Sequence, residues 1–301
     1  MFLEAPDGFG LRLPYHPPYD WAAILTFLGK RAITGIESVA PDSSAYRRTI
    51  RVAQRQGFLT VKPGGDHLHV ALCGIDPIHA FPVAERLRRL FDCDADPAAI
   101  AAGLGRDPVL APLVAARPGL RLPGAWDPFE TGCRAILGQQ VSVAAAIGLA
   151  GKLVAAFGTP LAEPANGLTH VFPGPAALVE ADIALALNMP RARGAAIRAL
   201  AAAALADPDL FAPAESLEEA VLRFTAIRGI GPWTAQYIAM RALKLPDALP
   251  VGDVGLMRAL EAGVGRPSPA ELSARAEAWR PFRAYAAQHL WAADEAIAKG
   301  R

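Results

Sequence analysis

LRFTAIRGIGPWTAQYIAMRALKLPDALPVGDVGLMRAL, residues 222–260, joins two helical patterns through a turn built on two glycines and then runs to a lone aspartate. Leu222, Phe224 and Ile227 close one apolar periodicity, and Gly229-Ile230-Gly231 makes a tight turn. Pro232 follows, where a first helical residue loses nothing by lacking an N–H. A second helix is expected over residues 232–245. Glycines flanking an apolar residue let the backbone approach another surface closely, and the amides that open a helix face an anion. Such a turn can hold a phosphate without any lysine. Ala235, Ile238, Ala239 and Ala242 form a small apolar stripe for the preceding helix, which leaves Trp233 and Tyr237, one turn apart, on a different face. Asp253 stands between Gly252 and an apolar run, so it is expected at or beside a helix start, where the dipole favours a carboxylate.

Each feature has an ordinary explanation by itself. Gly-x-Gly before a helix is common, and a dinucleotide loop would want a third glycine where Thr234 stands. Asp is a frequent helix cap and Trp a frequent core residue. What carries weight is the combination: Ile-x-Gly-Ile-Gly-x-Trp-Thr-Ala, followed 22 residues after Gly231 by Val-Gly-Asp. That combination resembles the helix-hairpin-helix, Gly/Pro-rich loop and aspartate signature of the DNA glycosylase superfamily, and within it the alkylation-repair branch of the DNA-3-methyladenine glycosylase II type. The likeness extends to PPYDW at residues 17–21, RPGLRLPG at 117–124, RAILGQQVSV at 134–143 and WRPFRAYAAQHLW at 279–291.

The resemblance implies an α+β fold, with an N-terminal antiparallel β-sheet and helices followed by an all-helical helix-hairpin-helix glycosylase core. The expected units are an α+β domain over 1–121, a helical domain with the hairpin over 122–245, and a C-terminal helical part over 246–301 that carries Asp253. It implies Asp253 as the catalytic carboxylate and Trp233, Tyr237, Trp279 and Gln139 as the base pocket. Gln140 stands where relatives place an apolar wedge that fills the gap left by an extruded nucleotide. By the same resemblance, Gly229, Ile230, Gly231, Trp233 and Thr234 are expected to form the phosphate-gripping hairpin, with backbone carbonyls of Thr225, Ile227 and Ile230 expected to hold a structural monovalent cation, Na+ or K+. No cofactor is required for catalysis. The implied partner is double-stranded DNA with alkylated bases, and the implied reaction is hydrolysis of the N-glycosidic bond of 3-methyladenine, 7-methylguanine and related purines. Bifunctional relatives carry a Schiff-base lysine where Trp233 stands, so strand cleavage is not expected. Two alternatives stay open: a non-catalytic DNA-binding protein in which Asp253 only caps a helix, and a glycosylase for a different lesion.

With 301 residues, 52% hydrophobic and 20% charged, the chain has the composition of an ordinary soluble protein with room for two or three modest domains. A formal net charge of +1 supplies no broad electrostatic footprint for nucleic acid, which a hairpin using backbone amides does not need. Cys73, Cys93 and Cys133 are widely spaced, against a disulfide framework, a zinc site or a four-cysteine cluster. With no leader-like start and no long apolar run, a cytoplasmic monomer is expected.

Short strands are expected at 47–52, 58–62 and 67–73, with helices from Trp21 and Asp76-Pro77. His67 and His69 share a strand face, without a third ligand nearby. From Asp127-Pro128 onward alanine-rich helices take over, and 163–174 is expected to be loop. Ser142 can cap a helix and so presents Gln139 and Gln140 on a turn. Arg191, Arg193 and Arg198 follow a helix start, where a solvated face is the simpler explanation than phosphate contact.

Overall fold

The computed structural model describes residues 2–5, 8–40, 42, 44–261 and 265–299. Six strands, β1 (Phe2–Ala5), β2 (Gly8–Pro14), β3 (Glu37–Val39), β4 (Tyr46–Val52), β5 (Arg55–Pro63) and β6 (His67–Cys73), form one sheet in the order β1-β2-β6-β5-β4-β3. Every neighbouring pair is antiparallel. Period-two burial sets the inner face, where Leu11 and Leu13 of β2, Leu59 and Val61 of β5, and Leu68, Val70 and Leu72 of β6 are buried. That face packs on α1 (Trp21–Gly29) and α2 (Ala80–Phe91). Asp20 starts α1 by accepting from the Ala23 N–H at 2.9 Å. His67 and His69 do share a face, with Nε2 atoms 3.0 Å apart; among the described residues no group of three or more His, Cys, Asp or Glu is placed to hold a metal ion.

Two short helices, α3 (Pro97–Leu104) and α4 (Leu110–Ala116), lead to α5 (Pro128–Leu137) and α6 (Val143–Phe157). Here the expectation of an all-helical core fails. Thr159–Ala165 and Leu168–Val171 form an antiparallel hairpin, β7 and β8, which begins before the stretch 163–174 expected to be loop and runs into it. Its turn is Asn166-Gly167 with φ of 53° and 77°, the left-handed pair that a two-residue hairpin requires. The remaining helices are α7 (Pro175–Leu178), α8 (Ile183–Leu187), α9 (Arg191–Ala206), α10 (Leu217–Thr225), α11 (Pro232–Arg241), α12 (Val254–Ala259), α13 (Pro269–Ala276) and α14 (Arg283–Lys299). Among the described residues no helix is long and apolar enough to cross a membrane.

Three large apolar clusters and a small one at the β7–β8 hairpin result, and α11 belongs to two of the large ones. Its Ala235, Ile238 and Ala242 pack with Phe224 and Ile227 from the α10 side, whereas Ala239 and Met240 turn to a cluster with Leu256, Leu272, Trp279 and Leu290. The apolar stripe is therefore shared between two clusters, and Ala239 meets Ala220 of α10 in the second. Leu104, Leu110 and Val114 of α3 and α4 join that second helical cluster rather than the sheet. Sheet and helices are tied by a buried ion network: Arg48 of β4 reaches Glu130 of α5 at 2.8 Å, and Arg134 of α5 bonds Glu130 and Glu37 of β3. Burial alone would raise the Glu37 carboxyl, but the Arg134 and Arg48 guanidiniums outweigh it and hold it below the usual range.

Candidate active site

The turn between α10 and α11 is shaped by its glycines in two ways. Gly229 has φ +91° and lies so close to α9 that an added Cβ would meet Ala196 Cβ at 2.4 Å. Gly231 caps α11 with extended backbone, and an added Cβ there would meet open space. No side chain caps α11, and Pro232 occupies its first turn, so the N-terminal amides of the helix lie beside an open glycine surface. Ile230 is buried under the turn, and Thr234 is also buried. Of the residues expected at the hairpin, the glycines are thus the open ones, while Ile230 and Thr234 offer only their backbones.

Asp253 is the N-cap of α12, as expected from Gly252 before it, and its Oδ1 accepts from the Leu256 N–H at 3.1 Å. Two indoles converge on the same carboxylate. Trp291 Nε1 donates to Oδ1 at 2.9 Å and Trp233 Nε1 donates to Oδ2 at 3.2 Å. Trp233 in turn stacks on Tyr237, with ring centroids 5.3 Å apart and planes at 11°. Space for this meeting comes from Gly255, where a Cβ would stand 3.1 Å from Asp253 Oδ1 and 3.2 Å from Trp291 Cδ1. A cleft of about 260 Å³ opens beside Trp291, lined also by Phe27, Arg31 and Gln288; a smaller one, of about 70 Å³, lies by Tyr237 and Arg241 and shares Phe27 and Arg31 with it. A half-buried carboxylate set among aromatic faces can stack a planar group and oppose positive charge that develops next to it.

Trp279 is not part of this site. It is 1% exposed, and its indole N–H donates to Asp107 Oδ2 at 2.8 Å, beneath the start of α4. Desolvation would raise the Asp107 carboxyl, but hydrogen bonds from Arg275 and Trp279 and from the Val109 and Leu110 amides bring it down to about 2. Gln139 also differs from expectation. Its side-chain amide donates to Gly229 O at 3.1 Å and Thr234 Oγ1 at 3.0 Å, while the Gln139 backbone carbonyl accepts from Arg193 Nη2 at 2.7 Å. It braces the hairpin turn and does not face the aromatic cleft. Gln140 is exposed next to it at φ +57°, on the turn that Ser142 closes by capping α6.

The family model of the AlkA N-terminal domain matches residues 10–127. DNA-3-methyladenine glycosylase 2 of Escherichia coli is 38% identical over 284 residues, which cover 93% of this chain and 95% of that protein. The chain belongs to the AlkA family. A Mycobacterium tuberculosis relative, a probable bifunctional transcriptional activator/DNA repair enzyme AlkA, is 41% identical over 93% of this chain, but the chain spans only 56% of its length. Among solved structures, 3-methyladenine DNA-glycosylase from Archaeoglobus fulgidus superposes with a TM-score of 0.80 at 23% identity, covering 95% of this chain and 98% of its own. An 8-oxoguanine glycosylase/lyase from Clostridium acetobutylicum, in complex with double-stranded DNA, gives 0.76 at 17% identity over 100% and 99% of the two chains. These two likenesses establish a shared fold.

For this AlkA-family chain the missed residues are as informative as the expected ones. Trp291 stands in the same aromatic segment as Trp279, and only the packing of α14 against α12 separates their roles. Arg241 was legible in principle, because Trp233, Tyr237 and Arg241 follow one another at intervals of four along a single helix face. At the hairpin, the Ile227 carbonyl accepts from the Ile230 N–H at 3.0 Å and retains a free lone pair. Among the described residues no backbone N–H donates to the Thr225 or Ile230 carbonyls.

Proposed function

We propose that this protein is a monofunctional DNA glycosylase that extrudes an alkylated purine, such as 3-methyladenine or 7-methylguanine, from double-stranded DNA and hydrolyses its N-glycosidic bond. The observation that carries the proposal is the pair of indole N–H groups fixing one carboxylate among aromatic faces, one of which, Trp291, lines a cleft. Extruding a base costs a few kcal/mol, least for a damaged pair, and stacking on aromatic rings returns roughly 1–3 kcal/mol per base. Trp291 and the Trp233–Tyr237 stack offer those rings. As the bond between C1′ and the base nitrogen breaks, its electron pair leaves with the base and positive charge grows on the sugar. Water then adds at C1′ and gives up a proton to solvent, while a cationic purine departs as the neutral base. Asp253 accepts three N–H donors, which fix the direction in which its carboxylate points. Its principal task is therefore to stabilise the cationic sugar electrostatically.

Strand cleavage through a Schiff base needs a free amine at the site. Trp233 occupies the hairpin position, and Lys244 is bound by Asp92 Oδ1 and Leu122 O, each at 2.7 Å. The uncapped start of α11 and the open Gly231 would receive a DNA phosphate. A monovalent cation held by the carbonyls of Thr225, Ile227 and Ile230 would supply positive charge beside that phosphate, and Gln140 would enter the space left by the extruded nucleotide. In the expected outcome, wild type releases free methylated base from methylated duplex DNA, and Asp253→Asn slows release about a hundredfold to a thousandfold while still binding an abasic-site analogue. Equal release by both proteins would remove Asp253 from the chemistry. A borohydride-trapped enzyme–DNA adduct would contradict the monofunctional assignment.

A further inference from the structure

Arg241 lies two turns along α11 from Trp233 and is 3% exposed. Its Nη1 donates to Pro123 O at 2.8 Å and its Nη2 to Gln288 Oε1 at 2.9 Å. The Nε–H is buried and meets no acceptor among the described residues. The guanidinium carbon stands 4.7 Å from the ring centroid of Phe27, 5.4 Å from that of Trp291 and 5.6 Å from that of Tyr237. Burial lowers the pKa to about 10, which leaves the group charged at neutral pH. A fixed cation thus already engages the ring quadrupoles that would attract a cationic base, and it repels such a base as well. Its desolvated Nε–H carries a penalty until an acceptor reaches it.

We propose that Arg241 determines specificity: its buried guanidinium, facing the rings of Phe27, Tyr237 and Trp291, shifts the site away from cationic bases and toward neutral purines that present a ring nitrogen or carbonyl oxygen. The inference rests on the glycosylase reading above. Aromatic walls alone would favour positively charged lesions, whereas walls backed by a cation and an unfilled donor accept uncharged purines too. Arg241 also joins α11 to α14 and to the 117–124 connection, so its loss as a mere brace would slow release of every base in proportion.

The test is single-turnover release of 7-methylguanine, a cationic base in DNA, and of hypoxanthine, a neutral one, from otherwise identical duplexes. Wild type is expected to release both. Arg241→Gln is expected to raise the methylguanine-to-hypoxanthine rate ratio about tenfold, and Arg241→Lys to keep it within about threefold of wild type. An unchanged ratio in Arg241→Gln, or release of methylguanine alone by wild type, overturns the proposal. Release of neither base by wild type that still binds an abasic duplex identifies failure of the glycosylase reading instead. Should Arg241→Gln not fold, competition against wild type decides the matter: 9-methylguanine is expected to inhibit at lower concentration than the 7,9-dimethylguaninium cation, and an equal or reversed order overturns the proposal.

Discussion

Trp279 and Trp291 stand twelve residues apart in one aromatic segment, yet their indole N–H groups serve different carboxylates. Trp279→Phe removes a hydrogen bond to a half-buried, charged Asp107 and is expected to cost about 2 kcal/mol of stability while base release persists. Trp291→Phe is expected to leave stability within about 1 kcal/mol and to slow release at least tenfold, because Asp253 loses a donor that aims it. Paired urea unfolding and release assays separate the two, and the reverse pattern would move Trp279 back into the site. Gly255 gives a sharper contrast. An added methyl would crowd Asp253 Oδ1 and Trp291 Cδ1 in the first turn of α12, where alanine is otherwise the better helix former. Gly255→Ala is therefore expected to lower the release rate about tenfold while helix propensity and crowding offset one another, leaving stability within about 1 kcal/mol. A variant with full activity would show that the carboxylate tolerates displacement.

Among elements, the turn between α5 and α6 and the turn between α10 and α11 are bridged by Gln139. Arg193 at the start of α9 holds the first turn from behind, so Gln140 is presented by a braced loop. Gln139→Ala is expected to weaken binding to an abasic-site duplex about tenfold, since the hairpin and the Gln140 turn would lose their common register. Unchanged affinity, measured by titration at fixed salt, would refute the coupling. Local sequence signals reach some of this arrangement. Gly252-Asp253, Gly231-Pro232 and Ser142 announce helix starts through capping chemistry that spans only a few residues, and each lies where expected. The β7–β8 hairpin was also announced by Asn166-Gly167, but its strands contain Pro160 and Pro164, which argue against strand by composition. Trp291, Gln139 and Arg241 take their roles from partners far away in the chain, and no local period specifies which of several aromatics or amides will meet a given carboxylate or turn.

At the scale of the molecule, α14 is the helix to which the other parts are fastened. Arg283 bonds Asp247, Tyr285 bonds Asp92 beneath the sheet's helices, Gln288 bonds Arg241, Trp291 bonds Asp253, and Asp294 pairs with Arg258 of α12. In the same helix His289 is 4% exposed, and burial together with the Arg117 charge lowers its pKa to about 4. The unfolded chain binds that proton near pH 6.5, so on acidification it gains protons before the folded chain does. Stability linked to His289 is complete above about pH 6.5 and is lost as the pH falls toward 4, by up to about 3 kcal/mol. Asp107, held at about 2, loses its contribution only below the ordinary aspartate range, so the interval between pH 4 and 6.5 is free of it. Asp127, raised by burial and by Glu130, acts in the opposite sense but is common to wild type and a His289 variant. The expected result is that His289→Gln flattens the fall of the urea midpoint between pH 7 and pH 4.5, and that equal slopes would place the acid sensitivity elsewhere. Because α14 also carries Trp291 and Gln288, wild-type base release should decline over the same interval as the helix loosens, ahead of global unfolding.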